Sequence, residues 1–437
     1  MNNISIVSES MICSNCGACK VICPKDAISF ITSPLGRMYA SVNERCIDCK
    51  ACLKVCPSLD KINLHSIFED RYVGKIEQVY TGRANDEQIY NNAQSGGLCT
   101  ATLKYLFEKK IIDAAVLCKM SAGMPPKTQA IVIDSETDLY ECQKSKYAPV
   151  DLLSILRGYY DKKSLAVVGL PCQIQGIISL QNMGRCKNVS YKLGLICECV
   201  LGSTLQDVLL SYHSVKSNGI IEWKKKDFTY SGKYYPYRDA PIRIRFDNGD
   251  DVVLPNDYRF ALKDMYTSPR CRVCYDKLNS FADIVFGDPW GMSGIDWQKG
   301  ESLVITRTFK GESLIQDIIR ANDITLKHAS FNELLKGQNI DERRKSVSAY
   351  SVALNALRIK ANSYLYQQKD VATIPAKYII AAKKNIEEYI SNEELSREDI
   401  IGKSRSIIKN YVRRRKLSRL FIVRAVKKAF RIINLMK

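Results

Sequence analysis

The sequence predicts a mixed α+β and α/β protein, in which a small cysteine-rich domain precedes a larger α/β domain and a basic helical tail. Two copies of one cysteine run occupy the first 57 residues, and apolar runs alternate with helical patterns after residue 76. Positive charge is concentrated in the last 36 residues. With 437 residues, the chain has room for about two to three domains.

The first element is the spacing C-x-x-C-x-x-C-x-x-x-C-P, which occurs twice. It is the spacing of bacterial ferredoxins, in which the fourth cysteine of each run ligates the cluster of the other run. Paired C-x-x-C units also hold zinc, which is the alternative interpretation. We therefore predict a ferredoxin-like domain over 1–65 with two 4Fe-4S clusters, one on Cys13, Cys16, Cys19 and Cys56 and the other on Cys46, Cys49, Cys52 and Cys23.

A polar stretch, Phe68–Lys75, is the predicted linker to the α/β region, whose two predicted parts are 76–160 and 161–340. Predicted strands are 114–118, 131–133, 165–168 and 191–196, and predicted helices are 100–109, 174–181 and 204–212. Four more predicted strands, 243–246, 252–254, 284–286 and 303–306, add antiparallel pairing. A helical extension over 341–401 and a basic amphipathic tail over 402–437 complete the prediction.

The tail holds 13 of the 65 lysines and arginines and no acidic residue, so it supplies most of the net charge of +19. Arg424, Lys427, Lys428 and Arg431 share one face of the predicted helix. Such a helix binds an anionic membrane surface, docks in an acidic groove of a partner, or caps the domain in solvent. The Arg413–Lys416 run resembles a nucleic-acid patch, but no aromatic platform accompanies it, so no nucleic-acid partner is predicted.

The first ten residues have no basic residue and no apolar core, and no apolar stretch reaches the length of a membrane span. Seventeen cysteines are then expected in reduced form. We predict a cytoplasmic protein, attached peripherally to a membrane if the tail binds one.

Six short motifs in the α/β region occur in a characteristic order: Gln94-Ser95-Gly96-Gly97-Leu98, Ser145-Lys146-Tyr147, Gly169-Leu170-Pro171-Cys172-Gln173, Ile196-Cys197, Cys271-x-x-Cys274 and Gly287-Asp288-Pro289-Trp290-Gly291. On these motifs, residues 78–335 resemble the family of coenzyme F420 hydrogenase/dehydrogenase beta subunits. The resemblance implies an oxidoreductase with a flavin-binding domain, bound FAD, at least one further 4Fe-4S cluster, and hydride exchange with a deazaflavin or another two-electron partner. Membership in this family does not determine which reaction the protein catalyses.

Residues for the flavin follow from these motifs. Gly96 and Gly97 lack a Cβ, so their amides can approach a phosphate or the ring at the start of a helix, although Ser95 could instead simply cap that helix. Lys146 and Tyr147 match the flavin-side pair of the family. Asp288 is a candidate for the pocket wall, beside Trp290 in a turn.

A third 4Fe-4S cluster is assigned to Cys172, Cys197, Cys271 and Cys274. After Cys197 the relatives carry His-Gly, whereas this chain has Glu198 and Cys199, so Cys199 is an alternative ligand. Zinc on the four cysteines remains the competing interpretation. Cys99, Cys118, Cys142 and Cys186 are expected to be buried free thiols.

No acid-base constellation surrounds His65, His213 or His328, which agrees with electron and hydride transfer. No Rossmann fingerprint follows a predicted strand, so NADH is not favoured. The predicted function is an iron-sulfur flavoprotein oxidoreductase that exchanges electrons with a redox partner protein or a small carrier, ferredoxin or a deazaflavin. The alternatives are an electron-transfer subunit that receives electrons from ferredoxin and serves a separate enzyme, and a zinc-binding structural protein.

Overall fold

A computed structural model describes residues 3–59, 68–159, 164–212, 217–357 and 374–435, with side chains of the last helix described as far as residue 417. Three short helices and a two-stranded antiparallel sheet form the cysteine-rich domain: α1 (Ser5–Glu9), α2 (Ala18–Ile22), β1 (Ile28–Thr32), β2 (Met38–Val42) and α3 (Ala51–Lys54). Each cysteine run contains one of the helices α2 and α3, and these two helices contact each other.

An eight-stranded sheet is the centre of the α/β region. Its strands are β3 (Gln78–Ala84), β4 (Ala114–Ser121), β5 (Lys127–Ile133), β6 (Leu165–Gly169), β7 (Val189–Leu195), β13 (Ile284–Gly287), β14 (Ser302–Thr306) and β15 (Ile324–His328). Their order is β15-β3-β14-β13-β7-β6-β4-β5. The four central strands β13, β7, β6 and β4 pair in parallel and the flanking strands pair antiparallel. The strands of the two predicted parts, 76–160 and 161–340, therefore share one sheet.

Helices cover both faces of this sheet, as expected for parallel strands. They are α4 (Glu87–Asn92), α5 (Leu98–Glu108), α6 (Leu139–Cys142), α7 (Pro171–Asn182), α11 (Phe309–Arg320) and α12 (Phe331–Gly337). Ile174 and Ile177 of α7 pack on one face, and Leu106 of α5 with Ile315 and Ile318 of α11 pack on the other. The sheet is therefore the middle layer of a three-layer core.

An insertion between β7 and β13 forms a separate layer. It contains α8 (Thr204–Leu210), β8 (Gly219–Glu222), β9 (Phe228–Tyr230), β10 (Lys233–Tyr235), β11 (Ile242–Phe246), β12 (Asp251–Leu254), α9 (Asp257–Tyr266) and α10 (Pro269–Arg272). Strands β12, β11 and β8 make a three-stranded sheet, and β9 and β10 make a hairpin.

Three long helices follow: α13 (Ile340–Ala356), α14 (Ala376–Asn392) and α15 (Arg397–Leu435). Ala353 of α13 and Ile386 of α14 belong to the same buried apolar cluster as Ile4 and Val7 of the cysteine-rich domain. Ile400 and Ile408 of α15 are buried in the insertion core. The predicted tail boundary at residue 402 thus falls inside a packed helix, while the side chains of Arg424, Lys427, Lys428 and Arg431 lie outside the described residues.

The predicted mixed α/β class is confirmed, and every predicted strand and helix overlaps an observed one. In the central sheet the prediction missed β3 and β15, which lie together at one edge, and outside that sheet it missed β1, β2, β8, β9 and β10. Within the described ranges, no helix is long and apolar enough to cross a membrane.

Candidate cofactor sites

The first thiol group consists of Cys13, Cys16, Cys19 and Cys56, all buried. Burial raises the pKa of Cys19 well above its usual value, and the nearby Cys16, Cys13 and Cys56 raise it further. Burial likewise raises the pKa of Cys56, with Cys16 and Cys13 adding to the effect. The fold therefore brings the last cysteine of the second run to the first three of the first run.

The second thiol group consists of Cys23, Cys46, Cys49 and Cys52, which line one small cavity. Burial raises the pKa of Cys52, and Cys49 and Cys23 raise it further. Cys49 is exposed, unlike any member of the first group. This group therefore lies at the surface.

The third thiol group contains five cysteines that line another small cavity: Cys172, Cys197, Cys199, Cys271 and Cys274. Cys172 lies in the first turn of α7, where Pro171 occupies the first helical position. Cys197 follows β7, and the Asn279 amide donates to the carbonyls of Gly169 and Leu195 (2.9 and 3.2 Å) at the ends of β6 and β7. Two of the cysteines, Cys172 and Cys197, therefore follow the carboxyl ends of two adjacent parallel strands.

Both alternatives for the third cluster lie in this cavity. Burial raises the pKa of Cys197, and Cys271, Cys172 and Cys274 raise it further. The Thr267 hydroxyl donates to the Cys199 sulfur at 3.5 Å. Among the described residues, no three His, Cys, Asp or Glu side chains converge as for a single metal ion. The assignment of Cys197, rather than Cys199, as a ligand of the third cluster stays a prediction.

The third group is contiguous with the first. Cys13 and Ser14 line the third cavity, and the Cys172 thiol lies 3.9 Å from the Ser14 carbonyl oxygen. After burial, the largest influence on the raised pKa of Cys172 is Cys16 of the first group.

A large cavity of about 1220 Å³ adjoins the third group, since Cys197 and Cys199 line both. Typical small-molecule pockets are about 300–1,000 Å³, so this cavity has room for a large ligand. Five predicted flavin residues line it: Ser95, Gly97, Lys146, Tyr147 and Asp288.

Gly96, unlike the other five, is not among the residues that line the cavity, and its role in binding a flavin stays a prediction. Its amide donates to the Ser302 hydroxyl at 2.9 Å, and a Cβ would lie 2.4 Å from the Gly82 carbonyl oxygen. Its lack of a side chain therefore serves packing against β3 and β14. Gly97, at φ +80°, is the residue that begins α5 at the cavity wall.

Positive charge dominates the cavity wall. Seven basic side chains line it against three acidic ones: Lys144, Lys146, Lys224, Arg259, Lys263, Lys277 and Arg343 against Glu198, Asp288 and Glu342. The Lys146 ammonium donates to the carbonyls of Cys142, Gln143 and Lys144, and burial lowers its pKa to about 8. No carboxylate neutralises this lysine within ion-pair distance among the described residues.

Sequence reasoning missed Lys224 and Lys226, which are buried next to the predicted flavin residues. Lys224 pairs with Asp288 at 2.6 Å and lies 4.6 Å from the Trp290 ring centre. Lys226 donates to the Ser95 carbonyl oxygen, and burial lowers its pKa to about 8. The available signal was the basic run directly after Trp223, an aromatic residue that is itself buried.

Glu198 is held by a cationic cluster. It pairs with Lys277 at 2.8 Å, Lys263 at 3.0 Å and Arg343 at 3.8 Å. Burial acts to raise its pKa, but these three charges prevail and lower it to about 2. Glu198 is therefore a fixed anion at neutral pH.

His328 lies on β15 beside Tyr80 and lines none of the three cavities, while His65 and His213 lie outside the described residues. One side of the large cavity comes from the helical extension, through Tyr350 of α13 and Tyr378 and Ala382 near the start of α14.

Protein-family models match successive parts of this chain. Residues 79–157 match the model of the coenzyme F420 hydrogenase/dehydrogenase beta subunit N-terminus, residues 162–331 match its C-terminus, and residues 12–59 match a 4Fe-4S dicluster domain. The dicluster match favours iron-sulfur clusters over zinc for the two cysteine runs.

Among curated relatives, coenzyme F420-dependent sulfite reductase of Methanocaldococcus jannaschii is 26% identical over 78% of this chain, which spans about half (49%) of that protein. One subunit of the F(420)H(2) dehydrogenase of Methanosarcina mazei is 25% identical over 78% of this chain and 92% of its own length. A solved chain from the F420-reducing NiFe hydrogenase complex of Methanosarcina barkeri has 22% identity and a TM-score of 0.49, covering 64% of this chain and 93% of its own. Two consecutive family models thus account for most of the α/β region, and the chain belongs to the family of coenzyme F420 hydrogenase/dehydrogenase beta subunits, a family of oxidoreductases.

Proposed function

We propose that the protein is an iron-sulfur flavoprotein oxidoreductase that moves electrons between a two-electron carrier such as reduced coenzyme F420 and its 4Fe-4S clusters through FAD. The observation that carries this proposal is the contiguity of the sites. The large cavity shares Cys197 and Cys199 with the third thiol group, which adjoins the first group through Ser14 and Cys172. The second group completes the series at the surface.

The thiols fit three clusters, because each group supplies at least the four cysteines that a 4Fe-4S cluster requires. A bound cluster supplies one-electron transfer, and a flavin supplies the exchange between one and two electrons. The chain itself holds the thiols in place, and it buries all four cysteines of the first group. For the third cluster we retain Cys172, Cys197, Cys271 and Cys274 as ligands.

The large cavity fits FAD in size and charge. Gly97 places the amino-terminal end of α5, an eleven-residue helix, at the cavity wall, where backbone amides favour an anionic pyrophosphate. Lys146 adds a positive charge that favours a flavin in its reduced, anionic state. Asp288 pairs with Lys224, whose ammonium lies 4.6 Å from the Trp290 ring centre, and these three side chains form part of the cavity wall.

Anaerobic titration tests this function. Iron, acid-labile sulfide and flavin are first measured in the purified protein, and reduced coenzyme F420 is then added while the visible spectrum is recorded. We expect flavin and cluster absorbance to bleach together. If dithionite bleaches the sample and reduced coenzyme F420 does not, the two-electron partner is a different molecule.

The flavin assignment has its own test. Lys146→Met should lower the flavin content of the purified protein, because it removes a positive charge that no carboxylate balances. Exposed Lys336→Met is the matched control and should leave the content unchanged. Equal flavin content in both variants would remove Lys146 from the site.

A second candidate is an electron-transfer subunit that receives electrons from ferredoxin and serves a separate enzyme. The exposed Cys49 favours it, because a surface cluster can exchange electrons with a protein partner. Turnover with a small acceptor in the absence of other proteins decides against this role, whereas strict dependence on a second protein supports it.

We also propose a cytoplasmic protein whose tail binds an anionic membrane surface. Truncation at residue 402 would remove Ser404 and Ile408, which are buried in the insertion core, so the informative truncation ends at Lys416. The truncated protein should keep its cofactors and lose binding to phosphatidylserine vesicles. Undiminished vesicle binding would contradict this role.

A further inference from the structure

Arg270 is a buried cation between two of the thiol groups. It lies in α10 next to Cys271, with only 3% of its surface exposed. Its Nε donates to the hydroxyl of Ser58 at 3.0 Å, two residues after Cys56. It also lines the third cavity together with Cys13, Cys172 and Cys274. One side chain therefore contacts the segments that carry the first and the third group.

The guanidinium is not neutralised by the protein. Among the described residues, no carboxylate lies within 4.0 Å of it, and its Nη1 has no hydrogen-bond partner. A buried charge without a partner is strongly unfavourable. The chain therefore keeps Arg270 in a position that requires a negatively charged neighbour.

The other two arginines of this cavity, Arg37 and Arg343, each pair with a carboxylate. Arg37 pairs with Glu393 at 3.3 Å. Arg343 pairs with Glu198 at 3.8 Å, and its Nε and Nη2 donate to the carbonyls of Cys274 and Cys271 at 2.9 and 3.0 Å. Its charge and its donors are satisfied by the protein. Arg270 is thus the cation that remains without a carboxylate partner, and it is available to balance the negative charge of a group bound by the thiols.

The charge of Arg270 reaches both groups. Arg270 lines the cavity that contains Cys13 of the first group and the five cysteines of the third group. It does not line the cavity of the second group, which contains Cys23, Cys46, Cys49 and Cys52. Its electrostatic effect is therefore concentrated on the first and third groups.

We propose that Arg270 is the shared counter-charge of the first and third clusters, a positioning residue that raises the reduction potential of both. This inference rests on the proposed function, since it requires a cluster in each group. An electron added to either site increases its negative charge, and a fixed cation in a low-dielectric interior stabilises that state. Because Arg270 does not line the cavity of the second group, the same charge also sets the two inner clusters apart from the surface cluster.

Redox titrations followed by electron paramagnetic resonance test the proposal on the full chain. In Arg270→Gln, the reduction equilibrium constant of two clusters should fall about tenfold or more, which is ~59 mV for a one-electron couple. The third signal, from the surface cluster, should stay within about twofold of wild type. Arg270→Lys should restore all three potentials because it retains the charge. Equal shifts in all three clusters, or none, would overturn the proposal.

A second pair of variants keeps Arg270 in place in case Arg270→Gln loses clusters. Ser58→Asp puts a carboxylate beside the guanidinium and should shift the same two potentials downward, whereas the uncharged Ser58→Asn should not. Equal potentials in Ser58→Asp and Ser58→Asn would also refute the role. Iron and sulfide analysis of the wild type separates the two failures. Fewer than three clusters would contradict the proposed function, whereas three clusters with unchanged potentials in the variants would contradict only the role of Arg270.

Discussion

The two cysteine runs have the same spacing and opposite surroundings. In both, the residue after the second cysteine adopts a left-handed conformation and begins a short helix: Gly17 at φ +95° and Lys50 at φ +62°. A Cβ on Gly17 would lie 2.5 Å from the Ser154 amide nitrogen, because the segment after α6 packs directly on it. Lys50 is exposed. Equal spacing therefore predicts equal ligands but not equal roles.

The difference in burial between Gly17 and Lys50 extends to the cysteines of the two runs. The Leu153 amide donates to the Cys16 carbonyl at 2.9 Å, and the side-chain amide of Asn15 donates to the Val150 carbonyl at 3.0 Å. The α/β region thus encloses the first run, while Cys49 of the second run faces solvent. One group connects to the interior sites and the other is open to a partner.

The largest expected effect is on the free energy of unfolding when each of the two left-handed residues is substituted. Gly17→Ala should destabilise the protein by about 3 kcal/mol or more, because the strain of a left-handed residue, about 1–2 kcal/mol, adds to a collision with fixed backbone. Lys50→Gly should change stability by less than about 1 kcal/mol. Anaerobic guanidinium unfolding measures both, and equal losses in the two variants would show that the packing on Gly17 is not tight.

This contrast shows how far sequence reasoning reaches. The runs were readable because each spans only eleven residues and supplies three of the four ligands of one cluster, so the spacing itself encodes the geometry. The third group was not, since residues from 172 to 274 meet only when β6, β7 and α10 are assembled. Its prediction depended on a family resemblance rather than on spacing.

The charged residues show the same limit. Arg270, Lys224 and Lys226 look like surface residues in the sequence, and only tertiary packing makes them buried cations. The glycine pair gives the reverse case, because both glycines fit a cofactor loop by composition and only Gly97 lines the cavity. Local pattern predicts what a residue can do, and packing decides which residue does it.

An intermediate effect is expected in the loss of iron. On brief exposure to air, the second cluster should be lost several-fold faster than the other two, because its group alone includes an exposed thiol. Iron should fall from about twelve to a plateau near eight per chain. Simultaneous loss of all iron, with no plateau, would show that burial does not protect the first group.

The smallest expected effect concerns the surface beside the second group. Ile47 lies between Cys46 and Cys49 with 57% of its surface exposed, so it offers an apolar contact directly beside the second group. Ile47→Asp should slow electron transfer to a protein acceptor such as ferredoxin about fivefold, the size of a single interface contact of ~1 kcal/mol. Reduction of the small acceptor benzyl viologen should not change.

Ile380→Asp, on α14 and 68% exposed, is the matched control, because it adds the same charge at an exposed isoleucine outside the cysteine-rich domain. If both variants slow electron transfer to ferredoxin equally, the change in net charge is responsible. Electrons then leave the protein at a site other than the surface beside Cys49.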